Sequence, residues 1–286
     1  MRRRDFISVA AAAPAAPAAS AATPAPAATP APAKQAPGSI GFALGTGALH
    51  SWAHIGVVRG CARIGLQPAA IAGCSAGAAV GALWAAGLGA DEIMRIAHRL
   101  DWQPPGAMSW LVRGRRRNDA LREEVERAVR GRRITELPVR FAAVATDTHS
   151  GESVILDAGP VGLAVEASCA VPLLFEPVRI GSHELLDGSL TAPVPVEAAR
   201  LLGVERVVAV DVAYRPYEEP PNSSSDYAFQ AMHILTNALA REQARAAEHV
   251  LKLDLHHLMR ERLDVDALVN AGEAALMRLA PVLLRK

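Results

Sequence analysis

Acidic residues are missing from most of the first third of the chain: none lies between Asp5 and Asp91. That stretch is apolar and small in character, and it offers no carboxylate to hold the ribose of a dinucleotide. Cysteine is scarce too, with only Cys61, Cys74 and Cys169 in apolar surroundings. Without C-x-x-C spacing they make neither a disulfide framework nor a zinc site, and they read as small buried hydrophobes. No charge excess calls for nucleic acid as a partner, since 30 basic residues face 29 acidic ones. There is no internal repeat and no confident membrane span. The alanine stretch near the N-terminus is too weakly hydrophobic and is broken by Pro14 and Pro17.

What is present at the N-terminus resembles a twin-arginine export signal: Arg3 and Arg4, then Phe6 and Ile7, then alanines with small-x-small cleavage sites. Residues 1–22 are read as that signal, and 23–38 as a Pro/Ala-rich linker that cannot bury enough apolar surface to fold. The expected localisation is periplasmic, with the cytoplasm as the alternative. The remaining chain, 39–286, is long enough for one sizeable core and is expected to form a single domain.

From Ser39 onward strands and helices alternate, the pattern of an α/β domain whose mostly parallel sheet is covered on both faces. "SIGFALG" at 39–45 and "AAIAG" at 69–73 are expected strands, each followed by a helix, the first capped by Ser51. "VRFAAVATD" and "ESVILD" read as paired strands, "VRIGSHELLDG" as a hairpin turning near Gly181, and "RVVAVDV" as a buried strand. Asn118 is expected to cap the amphipathic helix "DALREEVERAV".

Three features carry chemistry. The pentapeptide "GCSAG" at 73–77 places Ser75 where a strand ends and a helix begins. A nucleophile elbow needs that context, with Gly73 and Gly77 relieving a tight turn and the helix N-terminus favouring developing negative charge. A serine hydroxyl also needs a base. One candidate is Asp187 in "LLDGSL", next to Gly188; burial against Leu185, Leu186 and Leu190 would raise its pKa and make a direct Ser–Asp dyad chemically reasonable. The alternative is a Ser-His-Asp triad using His233, His249, His256 or His257, none of which has marking local features. Third, "LGTGALHS" presents Gly45, Gly47, Ala48 and Leu49 just before a helix, so that backbone N–H groups can meet an anion. A dinucleotide site is excluded there, because the third glycine of its fingerprint is replaced by His50 and no acid follows about twenty positions on. An oxyanion hole stays open.

Taken in order, the Gly-rich loop, G-x-S-x-G and D-G-small resemble the patatin-like phospholipase family over about residues 39–215. "AHIGVVRG", "IAGCSAGAAVGALWAAG", "FAAVATDTHSGE", "ASCAVPLLFEPV" and "LLDGSLTAPVPVEAARLLG" extend the likeness. The resemblance implies a three-layer α/β/α sandwich, Ser75 as acyl-accepting nucleophile, Asp187 as proton acceptor, and N–H groups near Gly47 and Ala48 as oxyanion donors. It implies hydrolysis of lipid or phospholipid esters with no metal or organic cofactor. The chain departs from the family pattern in the loop, where Ala48 stands for a glycine, Leu49 for a small residue, His50 for a cation and Ser51 for the last glycine. Added side chains there restrict the dihedrals. A protein that keeps the fold and binds lipid with weakened catalysis is therefore the other reading. His54 reads as structural, one turn into its helix. The run "WLVRGRRR" suggests contact with an anionic lipid surface through Arg113, Arg115, Arg116 and Arg117.

Overall fold

The computed structural model describes residues 38–100, 118–212, 221–255, 258 and 263–285. The expected export signal, the linker up to Pro37, the four arginines, and His256 and His257 lie outside the described residues.

The sheet is mixed, with helices on both faces. Its strands are β1 (Ile40–Leu44), β2 (Ala70–Cys74), β3 (Arg140–Asp147), β4 (Ser153–Leu156), β5 (Val178–Ile180), β6 (His183–Asp187), β7 (Arg206–Asp211) and β8 (His249–Lys252). Hydrogen-bonded neighbours follow the order β5-β6-β3-β2-β1-β7-β8, with β4 also on β3. Strands β3, β2, β1, β7 and β8 are parallel, whereas β4, β5 and β6 join antiparallel.

The register on β3 positions the site. Ala143 and Val144 pair with β2 and β4, and Ala145 and Thr146 pair with β4 and β6. A strand has two edges, so β2 and β6 must share one while β4 takes the other. They run in opposite directions and stop head to head: Cys74 pairs with Val144, and Asp187 pairs with the next residue, Ala145.

Alternation along the strands sorts the layers. Phe42, Leu44, Ile71, Phe141, Val208 and Val210 point into the larger core. Around it pack α1 (Trp52–Arg63), α2 (Ala76–Ala85), α3 (Ala90–Arg99), α4 (Asp119–Ala128), α5 (Val161–Ser168) and α8 (Val265–Leu283). The opposite face is lined by smaller residues, Ala43, Ala72, Val144, Val207 and Ala209, and carries α6 (Val196–Leu201) and α7 (Ser224–Ala244). Helices α1 and α8 touch backbone to backbone: a Cβ on Gly56 would strike the Val269 carbonyl, and one on Gly272 the Ala53 carbonyl.

Two expected caps are absent in the stated form. Neither Ser51 nor Asn118 makes a side-chain cap bond, whereas Ser223 and Asp264 accept the amides of Asp226 and Ala267.

Candidate active site

The chain leaves β2 at Cys74 and enters α2 at Ala76, so Ser75 forms the whole turn. Its backbone sits at φ 54 and ψ −129. That setting costs a residue with a side chain about 1–3 kcal/mol, and it must be held by its surroundings. The flanking glycines supply space: a Cβ on Gly77 would lie 2.5 Å from the Gly45 carbonyl oxygen, and one on Gly73 would lie 2.6 Å from that of Gly77. Ser168, at the end of α5 and fully buried, holds the turn from outside. Its Oγ accepts the Ser75 N–H at 2.9 Å and donates to the Val144 carbonyl at 2.6 Å. The sequence reading missed Ser168; α5 is apolar nearly throughout, and a serine at its end has no local mark.

Ser75 Oγ donates to Asp187 Oδ2 at 2.7 Å. Asp187 is fully buried, and burial pushes its carboxyl up from an ordinary 3.8 to about 6, against the downward pull of hydrogen bonds from Ser189 and Ser75. The other oxygen, Oδ1, accepts the Ser189 N–H at 2.8 Å, so Oδ2 is the one left facing the serine. Thr146 Oγ1 donates to the Asp187 carbonyl at 2.9 Å and fixes the strand end. Gly188 allows this approach, since a Cβ there would run into the Val144 carbonyl and come within 3.2 Å of Cys74 Sγ. Cys74 and Cys169 lie beside the pair, and burial holds both thiols well above their ordinary pKa, in the protonated form.

The glycine loop follows β1 and ends in a short 3₁₀ turn, Ala48–Ser51. Gly45 departs from the expected donor role. Its N–H is spent on the Val210 carbonyl at 3.0 Å, so it anchors the loop and offers nothing to an anion. Its carbonyl lies 2.8 Å from His54 Nε2. A carbonyl only accepts, so Nε2 carries the proton, and burial lowers the His54 pKa to about 4, leaving the ring neutral. Gly47, Ala48 and Leu49 stand at the start of the turn, where the first amides have no carbonyl within the turn to bond. Ala48 is at φ 44, in the left-handed region that a glycine would occupy without cost. Among the described residues no imidazole hydrogen-bonds to Ser75 or Asp187, and no group of three or more His, Cys, Asp or Glu is arranged to hold a metal.

Such an arrangement can activate a hydroxyl through a carboxylate and receive an anion at nearby amides. A family model for the patatin-like phospholipases matches residues 42–200, a span containing the loop, the elbow and Asp187. An NTE family protein of Mycobacterium tuberculosis is 33% identical over 189 residues, 64% of this chain and 51% of its own length. One of Mycobacterium bovis has the same figures. The mouse patatin-like phospholipase domain-containing protein 6 is 25% identical over 186 residues, 61% of this chain and 13% of that protein. The chain thus spans about half the length of the mycobacterial relatives it matches. Among solved structures, VipD from Legionella pneumophila is similar at a TM-score of 0.44 and 14% identity, over 85% of this chain and 66% of that one.

Proposed function

The chain belongs to the patatin-like phospholipase family, and from that premise we propose that it is a serine acyl hydrolase that cleaves carboxylic esters of lipids through an acyl-enzyme on Ser75. The observation that carries this is the buried 2.7 Å hydrogen bond from Ser75 Oγ to Asp187 Oδ2. In the forward step Asp187 takes the hydroxyl proton as Oγ bonds to the ester carbonyl carbon. The carbonyl oxygen becomes an oxyanion facing the amides of Gly47, Ala48 and Leu49, which stabilise charge that the ground state lacks. Asp187 then gives the proton to the departing alcohol as the ester bond breaks. A water attacking the acyl-enzyme repeats the cycle with the same base, releasing the acid. A pKa near 6 suits both halves, because the carboxylate is charged at neutral pH yet basic enough to accept and return a proton.

Fluorophosphonate labelling tests this reading together with turnover of p-nitrophenyl esters and phospholipids. Labelling and turnover lost in Ser75→Ala and Asp187→Asn are expected. Full activity in either variant would end it.

The weakened-catalysis reading draws on the left-handed Ala48 in the loop. It expects a folded wild type that binds phospholipid vesicles but takes up no label. Export through residues 1–22 is part of the proposal as well, and fractionation of cells carrying Arg3→Lys and Arg4→Lys checks it by loss of the protein from the periplasm.

A further inference from the structure

Helix α7 is turned inside out. Only Ala240 and Ala244, near its C-terminal end, are buried, and no Asp, Glu, Lys or Arg lies between Asp226 and Arg241. Its polar side faces the protein: Thr236 Oγ1 donates to the Ser189 carbonyl at 3.3 Å, and Gln243 bonds the Thr191 carbonyl at 2.8 Å and the Val194 amide at 3.1 Å. The side facing water is the apolar one.

At 3.6 residues per turn, Tyr227, Ala231, Ile234, Leu235 and Ala238 share that outer side. Tyr227 is 62% exposed, Ile234 50% and Leu235 72%. A single such residue on a surface needs no explanation, but a line of them does. The line runs on into exposed Arg241 and Arg245, with Glu242 beside them paired to Arg245 at 2.8 Å, so the helix passes from apolar to net positive along its own axis. It stands beside the candidate site, because Ser189, which Thr236 touches, is two residues after Asp187. Leu190, next in the chain, is exposed as well.

We propose that this outer side of α7 docks the protein on a phospholipid bilayer, with Tyr227, Ile234 and Leu235 entering the acyl layer and Arg241 and Arg245 meeting lipid phosphates. The choice of a bilayer rests on the lipid-ester reading above and on two features of the helix. Apolar side chains followed by arginines match the order of a bilayer, hydrocarbon and then phosphate. A second copy fits less well. The stripe from Tyr227 to Ala238 is about 17 Å long and about 10 Å wide, roughly 170 Å², against about 800 Å² per partner in a stable dimer.

The test uses Ser75→Ala, which has no nucleophile to consume the lipid, and phosphatidylcholine vesicles containing phosphatidylglycerol. Binding in vesicle sedimentation should weaken by roughly tenfold for each of Ile234→Glu and Leu235→Glu, the scale of withdrawing one such side chain from hydrocarbon. In the active protein the same substitutions should lower phospholipid turnover and leave p-nitrophenyl acetate turnover unchanged. Both positions are at least half exposed, so a charge there does not threaten the fold. Leu235→Trp should keep the binding, with emission shifting to the blue on vesicles. Vesicle binding unchanged in both Glu variants overturns the proposal. So does a wild-type dimer in sedimentation equilibrium that Leu235→Glu dissociates, since this side would then be an interface between copies. The two readings fail separately. If the protein turns over no ester but its vesicle binding is lost in the Glu variants, the docking side stands and the hydrolase reading falls. If esters turn over while vesicle binding ignores α7, the docking side alone falls.

Discussion

Ser168 Oγ and the Ser75 amide are joined at 2.9 Å, so a serine at the end of one helix holds the strained backbone of the candidate nucleophile. Ser168→Ala leaves a buried N–H unpaired. We expect a loss of about 1–3 kcal/mol in urea unfolding. Fluorophosphonate labelling of Ser75 should slow as well. Unchanged labelling would mean the turn is held by its glycines alone.

Asp187→Asn should abolish turnover while stabilising the fold near neutral pH. The wild-type carboxyl has its pKa raised to about 6 by burial, so between roughly 3.8 and 6 the native state binds more protons than the unfolded state. Stability from this group therefore falls as pH rises through that window, by on the order of 3 kcal/mol, and stays lost above it. Asparagine carries no such charge. Thermal unfolding should show Asp187→Asn above wild type at pH 8, with the gap closing by pH 4.

The same group predicts the pH profile of catalysis. Asp187 acts as a base only when ionised, so kcat/KM should rise with pH to a plateau, with an apparent pKa near 6. A profile flat from pH 5 to 8 would remove Asp187 from the base role.

Ala48 is held at φ 44. Ala48→Gly relieves a left-handed strain of about 1–2 kcal/mol at the cost of some chain entropy. A net gain of about 0.5–1 kcal/mol is expected from urea unfolding, and Ala48→Val should move the midpoint the other way. Equal midpoints would show that the loop absorbs the methyl freely.

Gly188→Ala should separate the pair directly. Its methyl would collide with the Val144 carbonyl, which is strand backbone and cannot turn aside. The segment after Asp187 must shift, so turnover should fall by about a hundredfold, the scale of a 1 Å misplacement. Activity near wild type would place the carboxylate on a more yielding segment.

Strands β1, β2, β3 and β7 were legible from their apolar runs to within a residue or two at their ends, because strands buried on both faces carry little else. The Ser75 elbow was legible because the turn requires glycine on both sides. Helix α5 was not: its residues are buried all round, so no polar face gives it a period. With it went Ser168. The Gly45 assignment failed for another reason, since a free amide and one spent on Val210 look alike until the neighbouring strand is in place. Ser51 misled similarly, having a capping residue's identity but not its bond.

The butt joint on β3 places a seam in the ladder, where two strands end against each other and a side-chain contact, Ser75 to Asp187, spans the break. A seam lacks the cooperative support of continuous pairing, so mild denaturant should pry it apart ahead of the surrounding sheet. Reactivity toward the serine probe would then vanish before circular dichroism changes, making the hydroxyl a local gauge of whether the two halves of the sheet are seated.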